Sequence, residues 1–348
     1  MANVALILGS YNFGGISRFV ENLVIELTRF NLECCIIVRE IVKSLNPLIK
    51  PYVIKIEASH IVDYQRKLRK IIRGFDIVNI HDVYSLGGIP YSCRSIFTYH
   101  GIIPLRYTKP KDLSGFLSGY VNLLLGRRKC VTAIGISDYI YHELLKIFPN
   151  VLKIPVGIRL SIFQRGRTLK RLKEDTYPVL LDVGPVDRSQ GSHLLISSMY
   201  YILKRFPKAK LILVGNIVDP GLYHKVKMSE MRSHIMFTGF VPDSLLIDLY
   251  HTADIVIEIP YWHGFGLPIL EAMACGKPVI TRNAYAMKEH IQKSSAGVAI
   301  RGDNPQEVAS AVQAILQTYD DMARRALNYA RNFDISAIAR MYKEIFTH

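Results

Sequence analysis

His263-Gly-Phe-Gly-Leu-Pro-Ile-Leu-Glu-Ala-Met-Ala-Cys-Gly-Lys-Pro-Val-Ile280 is the stretch from which the fold is read. Gly264 and Gly266 permit a sharp backbone turn, Pro268 suits a first helical turn, Gly276 ends the helix and Val279 opens a strand. The start of that helix presents backbone N–H groups and partial positive charge, which suit a phosphate or diphosphate. Glu271, one turn in, can reach sideways to hydroxyls such as those of a ribose. An ordinary strand-loop-helix connection accounts for the same glycines.

Around this stretch, short apolar runs at 179–183, 210–214, 235–238, 255–259 and 278–281 read as buried strands, with helical text at 192–206, 244–251 and 267–275 between them. Upstream, runs at 4–8, 34–38, 77–80, 96–99 and 131–136 alternate with helical patterns such as 17–30 and 64–73. Such alternation predicts parallel sheets covered on both faces. The expected class is α/β, with two Rossmann-like doubly wound domains. These are an N-terminal domain over 1–163, a charged linker over 164–177, a C-terminal domain over 178–332, and a final helix over 333–348 packing back on the first domain. Two such domains are expected to face each other across a cleft lined by the carboxyl ends of both sheets.

The 348 residues, 49% of them hydrophobic, suffice for two cores, which excludes a disordered chain and a small stapled scaffold. Net charge is +15 and uneven: residues 1–165 carry 22 basic against 11 acidic side chains, the remainder 22 against 18. Nucleic-acid binding would use such charge, but zinc-finger spacing, an RNP-like aromatic pattern and a recognition helix are all missing. The five cysteines show no metal-ligand spacing, and two are adjacent within an apolar run, so buried thiols in a reducing, cytoplasmic compartment are expected. The longest uncharged apolar stretch, Leu113 to Gly126, is 14 residues, short of the ~18 that a membrane span needs. The opening residues lack the basic start of a signal peptide, and none is expected.

With its companion segments, the stretch from His263 resembles the signature of glycosyltransferase family 4, retaining enzymes of GT-B fold that move a sugar from a nucleotide donor. The companions are Gly14-Gly15, Thr98-Tyr-His-Gly101, Ala133-Ile-Gly-Ile-Ser137, Lys153-Ile-Pro-Val-Gly157, Asp182-Val-Gly-Pro-Val-Asp-Arg-Ser-Gln-Gly191, Leu211-Ile-Leu-Val-Gly215 and Phe237-Thr-Gly-Phe-Val241. The resemblance covers nearly the whole chain; the long motif is specific, and the others are individually weak. It implies that Gly14, Gly15, Gln190, Gly264, Phe265, Gly266 and Leu267 line the donor diphosphate, that Glu271 meets the ribose, that Phe240 and Val241 match the base-edge region, and that His100 and His263 lie by the donor sugar. His81 is a weaker neighbour of His100. The donor implied is a UDP- or GDP-linked sugar, with no other cofactor. No Asp-x-Asp occurs, and no metal is expected.

Two departures from the family pattern matter. The diphosphate-binding Arg and Lys positions of the loop after the first strand of the C-terminal domain read Pro185 and Gln190, so a leaving diphosphate lacks its two cations. Arg188 in the same loop is the substitute expected, against the alternative of a solvated surface arginine. The earlier of the family's two Glu positions is His263, read as an altered donor-sugar contact that as a cation would restore part of the missing charge. No convincing enzyme nucleophile is evident.

The segment Gln65-Arg-Lys-Leu-Arg-Lys-Ile-Ile-Arg73, and Arg127-Arg-Lys129 after the apolar segment that follows Lys109 and Lys111, read either as a solvated face or as a patch for an anionic membrane surface. The function expected is a retaining, metal-independent glycosyltransferase acting on a glycan or lipid-linked acceptor at the cytoplasmic face of a membrane. The alternatives are a non-catalytic nucleotide-sugar-binding protein and a nucleotide-sugar epimerase or hydrolase on the same fold.

Overall fold

The computed structural model describes residues 2–12, 14–42, 44–102, 104–107, 113–130 and 132–347, with Arg106 described in its backbone only. Phe13, Lys109, Lys111 and Val131 lie outside the described residues. The chain divides into two units, residues 1–159 with 333–348, and residues 160–332.

The first unit carries seven strands: β1 (Asn3–Tyr11), β2 (Glu33–Ile41), β3 (Val53–Lys55), β4 (Ile77–Ile80), β5 (Ser95–Tyr99), β6 (Thr132–Gly135) and β7 (Val151–Lys153). They form one parallel sheet in the order β3-β2-β1-β4-β5-β6-β7. Val4 to Ile7 are fully buried because β1 is central and covered on both faces, the environment that selects continuous branched aliphatic text over alternation. The helix Gly15–Arg29 turns Phe19, Leu23 and Leu27 inward, and it packs on the last helix, Ile335–Thr347. That last helix is tied to the sheet: Tyr342 is buried with its hydroxyl 3.3 Å from Thr98 Oγ1, and Arg94 donates to the Ile345 carbonyl at 3.0 Å.

The second unit carries six: β8 (Val179–Val183), β9 (Lys210–Val214), β10 (Ile235–Gly239), β11 (Ile255–Glu258), β12 (Val279–Arg282) and β13 (Gly297–Ile300). Their order is β10-β9-β8-β11-β12-β13, again all parallel. Its core packs Leu180, Leu211, Leu213, Ile255 and Ile257 against the helices Ser192–Arg205 and Pro305–Gln317.

The segment 164–177, read from sequence as a linker, is seated on this second unit. Arg167 and Leu169 donate backbone N–H groups to Asp248 Oδ1 (2.7 Å) and Thr252 Oγ1 (2.8 Å), and Lys173 pairs with Asp254. Two backbone N–H groups and one lysine anchor it to one surface, which polar composition alone does not reveal. The strands β3, β7 and β13 had no counterpart in the sequence reading. Each is three or four residues long and sits at a sheet edge, where one flank is unpaired and apolar text is not required.

Candidate functional site

In both units the polar residues gather where the central strands end. In the first, Gly14 caps the helix Gly15–Arg29 in an extended conformation, and its N–H donates to Asn12 Oδ1 at 2.7 Å while Ser17 Oγ accepts from the Asn12 N–H at 3.0 Å. A Cβ on Gly14 would lie 2.8 Å from Asn12 Oδ1, so the absence of a side chain lets this turn close.

His81 follows β4 and His100 follows β5, and their Nδ1 and Nε2 atoms are 3.0 Å apart, one ring donating to the other. Phe19 packs edge-on to both rings. Burial keeps both imidazoles uncharged: His100 is pushed down to about 3, and His81 falls well below the usual histidine range through burial and then through His100. His81 Nε2 is buried without a hydrogen-bond partner among the described residues. Beside them Asp82 accepts from the Ser85 N–H (2.9 Å) and hydroxyl (2.5 Å), and Tyr64 OH lies 3.1 Å from Ser85 Oγ. Burial raises the Asp82 carboxyl despite those hydrogen bonds.

In the second unit the loop after β8 is held by Asp187 Oδ1, which accepts from Ser189 Oγ at 2.6 Å and from the Gln190 N–H at 3.0 Å. It closes at Gly191, where φ is +79° and a Cβ would stand 2.4 Å from the Ile259 carbonyl. The Tyr261 N–H donates to the Ser189 carbonyl at 2.9 Å, stitching this loop to the one after β11. Pro185 is exposed, and Arg188 is exposed with Nε 3.6 Å from Asp219 Oδ2.

The loop after β11 carries His263, Gly264 and the buried Phe265, whose carbonyl accepts from His290 Nε2 at 2.7 Å and whose ring meets the His290 ring edge-on. Gly266 (φ +92°) caps the helix Leu267–Ala274, with Pro268 in its first turn. A left-handed conformation at that cap favours glycine and aims the helix start at the loop. Glu271 is 2% exposed and accepts from Tyr250 OH at 2.9 Å, so its carboxylate is held by a phenol inside the unit. At the end of β10, Gly239 (φ +68°) turns the chain, and beyond it Phe240 is exposed and Val241 buried.

Gln190, His263, Gly264, Phe265, Gly266, Leu267 and Glu271 all lie on or beside the loops that follow the adjacent strands β8 and β11. Phe240 and Val241 follow β10, which β9 separates from β8. Four groups at these ends were missed. Asp182 and Glu258 are buried carboxyls: burial pushes Asp182 up to about 8, and burial, then Asp182 and Glu271, raise Glu258 well above the usual range. Asp82 is the third group, and the fourth is the cluster of His193, Tyr261, Arg282 and Asp303. Arg282 lies 2.9 Å from Asp303 Oδ1, with its guanidinium 4.2 Å from the centre of the Tyr261 ring, and Tyr261 OH donates to Asp303 at 2.9 Å. The signal available was position, since Asp182, Glu258 and Arg282 are charged residues inside otherwise apolar strand text. Among the described residues no group of three or more His, Cys, Asp or Glu side chains is placed to hold a metal ion.

A family model described as Glycosyl transferases group 1 matches residues 167–333, and one described as Glycosyltransferase Family 4 matches residues 13–161. The chain belongs to glycosyltransferase family 4. This family 4 chain is 26% identical over 192 residues to the D-inositol 3-phosphate glycosyltransferase of Paenarthrobacter aurescens, covering 51% of this chain and 47% of that one. It is 25% identical over 304 residues to the phosphatidyl-myo-inositol mannosyltransferase of Mycolicibacterium smegmatis, covering 81% and 74%. The chain thus spans about half the length of the first of these relatives and three quarters of the second. Among solved structures, Anabaena Alr3699/HepE in complex with UDP and glucose superposes with a TM-score of 0.81 at 15% identity, covering 100% of both chains. That likeness and the two parallel Rossmann-like sheets establish the GT-B fold for this family 4 chain.

Proposed function

We propose that this family 4 chain is a retaining, metal-independent glycosyltransferase that takes its sugar from a nucleoside-diphosphate donor. The observation that carries the reading is the second unit's loop and helix from His263 to Ala274. There a left-handed glycine cap starts a helix beside a buried carboxylate, and the loop before it is fixed by His290 and by the bond from Tyr261 to Ser189. A helix start with its partial positive charge suits the diphosphate, and Glu271 the ribose hydroxyls. His100 and His263 are assigned to the donor sugar, and Gly14 and Gly15 to the diphosphate from the first unit. Retention and metal independence come with the family pattern and with the absence of Asp-x-Asp.

The acceptor proposed is a glycan or lipid-linked molecule met at a membrane surface, in keeping with relatives named D-inositol 3-phosphate glycosyltransferase and phosphatidyl-myo-inositol mannosyltransferase. The helix Leu113–Gly126 leaves Leu117, Tyr120, Val121, Leu124 and Leu125 exposed and ends at exposed Arg127 and Arg128. Apolar anchors beside cations suit an anionic headgroup layer. Among the described residues no helix is long and apolar enough to cross a membrane.

The deciding experiment incubates the purified protein with UDP- and GDP-sugars and membrane extracts, following nucleotide release and sugar incorporation by mass spectrometry. Incorporation from one donor is the expected result. Donor binding without turnover across the panel would favour a non-catalytic nucleotide-sugar-binding protein, a reading supported by Pro185 and Gln190 standing where the family has cations.

A further inference from the structure

Glu258 is 2% exposed, at the last position of β11, five residues before His263. Its Oε1 lies 3.7 Å from His263 Nδ1, while its Oε2 is buried with no hydrogen-bond partner among the described residues. Its register partner on β12, Thr281, has a buried hydroxyl that is likewise unpartnered. An isolated buried carboxyl is costly in a strand that could hold an aliphatic residue, and the cost is least when the group keeps its proton. His263 has the complementary placement. Its side chain is partly open, at 27%, with Nδ1 turned to the enclosed carboxyl, so Nε2 is the ring nitrogen left for a ligand.

The geometry points to Glu258 as the proton store of His263. This rests on the proposal that His263 contacts the donor sugar. In the resting state the carboxyl is protonated and the ring neutral, with Nδ1 as acceptor. As the bond from sugar to diphosphate breaks and negative charge gathers on the leaving oxygen, the Glu258 O–H bond breaks and its proton forms an N–H bond at Nδ1. The dyad keeps its total charge, while its positive end moves to the partly open imidazolium and its negative end to the enclosed carboxylate. When the diphosphate departs, the proton returns. A 3.7 Å separation is longer than a hydrogen bond, so the transfer needs a closer approach, of about half an ångström or more.

The electrostatics agree with the resting state of this pair, from which the charge gathering on the leaving diphosphate has to draw the proton toward His263. Burial holds His263 down at about 4, so the resting ring is neutral. The groups facing Glu258 are Asp182 from β8 and Glu271 from the helix Leu267–Ala274, both of which favour its protonated form. The pair also places a latent cation in a unit whose loop after β8 has lost the family's two cations to Pro185 and Gln190.

The test follows the ring nitrogens of His263 by NMR in protein labelled with 15N-histidine, across pH and with UDP as the probe. In the wild type the His263 signals are expected to move in two steps, near pH 4 and again well above it where the dyad loses its shared proton. Added UDP should shift them toward imidazolium at constant pH. Glu258→Gln keeps the shape of the side chain and is expected to show the lower step only, with the UDP shift lost and kcat with the active donor lowered about 100-fold at little change in donor KM. Glu258→Asp should restore part of both. Glu258→Leu, an aliphatic that suits the strand, serves as a second variant, with Tm confirming a folded protein. Identical titration curves in the wild type and Glu258→Gln would overturn the dyad. Failure of UDP to bind the wild type by calorimetry would overturn the donor reading instead, and the nucleotide-free titration would still decide the dyad.

Discussion

In the first unit the opening strand lies between its second and fourth, as β2-β1-β4, and in the second unit the same place is held by β9-β8-β11. One topology is therefore laid down twice, and each copy brings two loops together at the point where the strand order reverses, the position at which open parallel sheets bind ligands. The chemistry placed there differs. After β4 and β5 the first unit sets two neutral imidazoles in contact, whereas the second sets buried carboxyls at β8 and β11 beside a neutral His263. The backbone fixes where polar groups collect, and burial then decides their protonation. Histidines shed protons and carboxyls keep them, so both units present uncharged groups that a ligand's charge can repolarise.

The largest expected effect separates the two copies. His100→Gln keeps a hydrogen-bond partner for His81 and is expected to lower turnover about 100-fold while leaving UDP affinity within twofold, measured by steady-state kinetics and calorimetry. Glu271→Ala should act the other way round, weakening UDP binding about tenfold and removing the bond from the Tyr250 hydroxyl, at a cost of about 1 kcal/mol in stability. If UDP affinity and turnover both survive Glu271→Ala, the donor assignment fails.

A smaller effect tests the opposite proton preferences. Asp182 rises from 3.8 to about 8, so the native state binds a proton that the unfolded chain releases, and stability falls as pH rises through that window. His100 falls from 6.5 to about 3, so its contribution is lost as pH drops through its own window. Asp182→Asn is expected to narrow the Tm difference between pH 5 and pH 8 by about 3 °C or more, and an unchanged difference would place the proton elsewhere. The smallest effect expected is that of Arg188→Ala, less than twofold in turnover, because its guanidinium is exposed and set against Asp219.

Most of the architecture was legible in the sequence because central parallel strands demand unbroken apolar runs, as at Val4 to Leu8 and Leu211 to Val214. Edge strands such as Val53–Lys55 escaped notice because half of their surface meets water. The glycine cap was legible because a left-handed backbone conformation restricts residue type. Glu258 and Asp182 were not, since hydropathy averages a single carboxyl into the strand around it. His290 acts on Phe265 from 25 residues away, a pairing that only the folded chain creates.

The last helix has a consequence for the order in which the molecule is made. A ribosome delivers residues 1–159 first and then the whole of the second unit, yet the first sheet waits for Tyr342 and Phe346, both buried, to fill its helix layer. The second unit is continuous in sequence and can close on its own as it emerges. The first is completed only once residues 333–348 have been made, so its sheet keeps an unfilled apolar face while residues 160–332 are added.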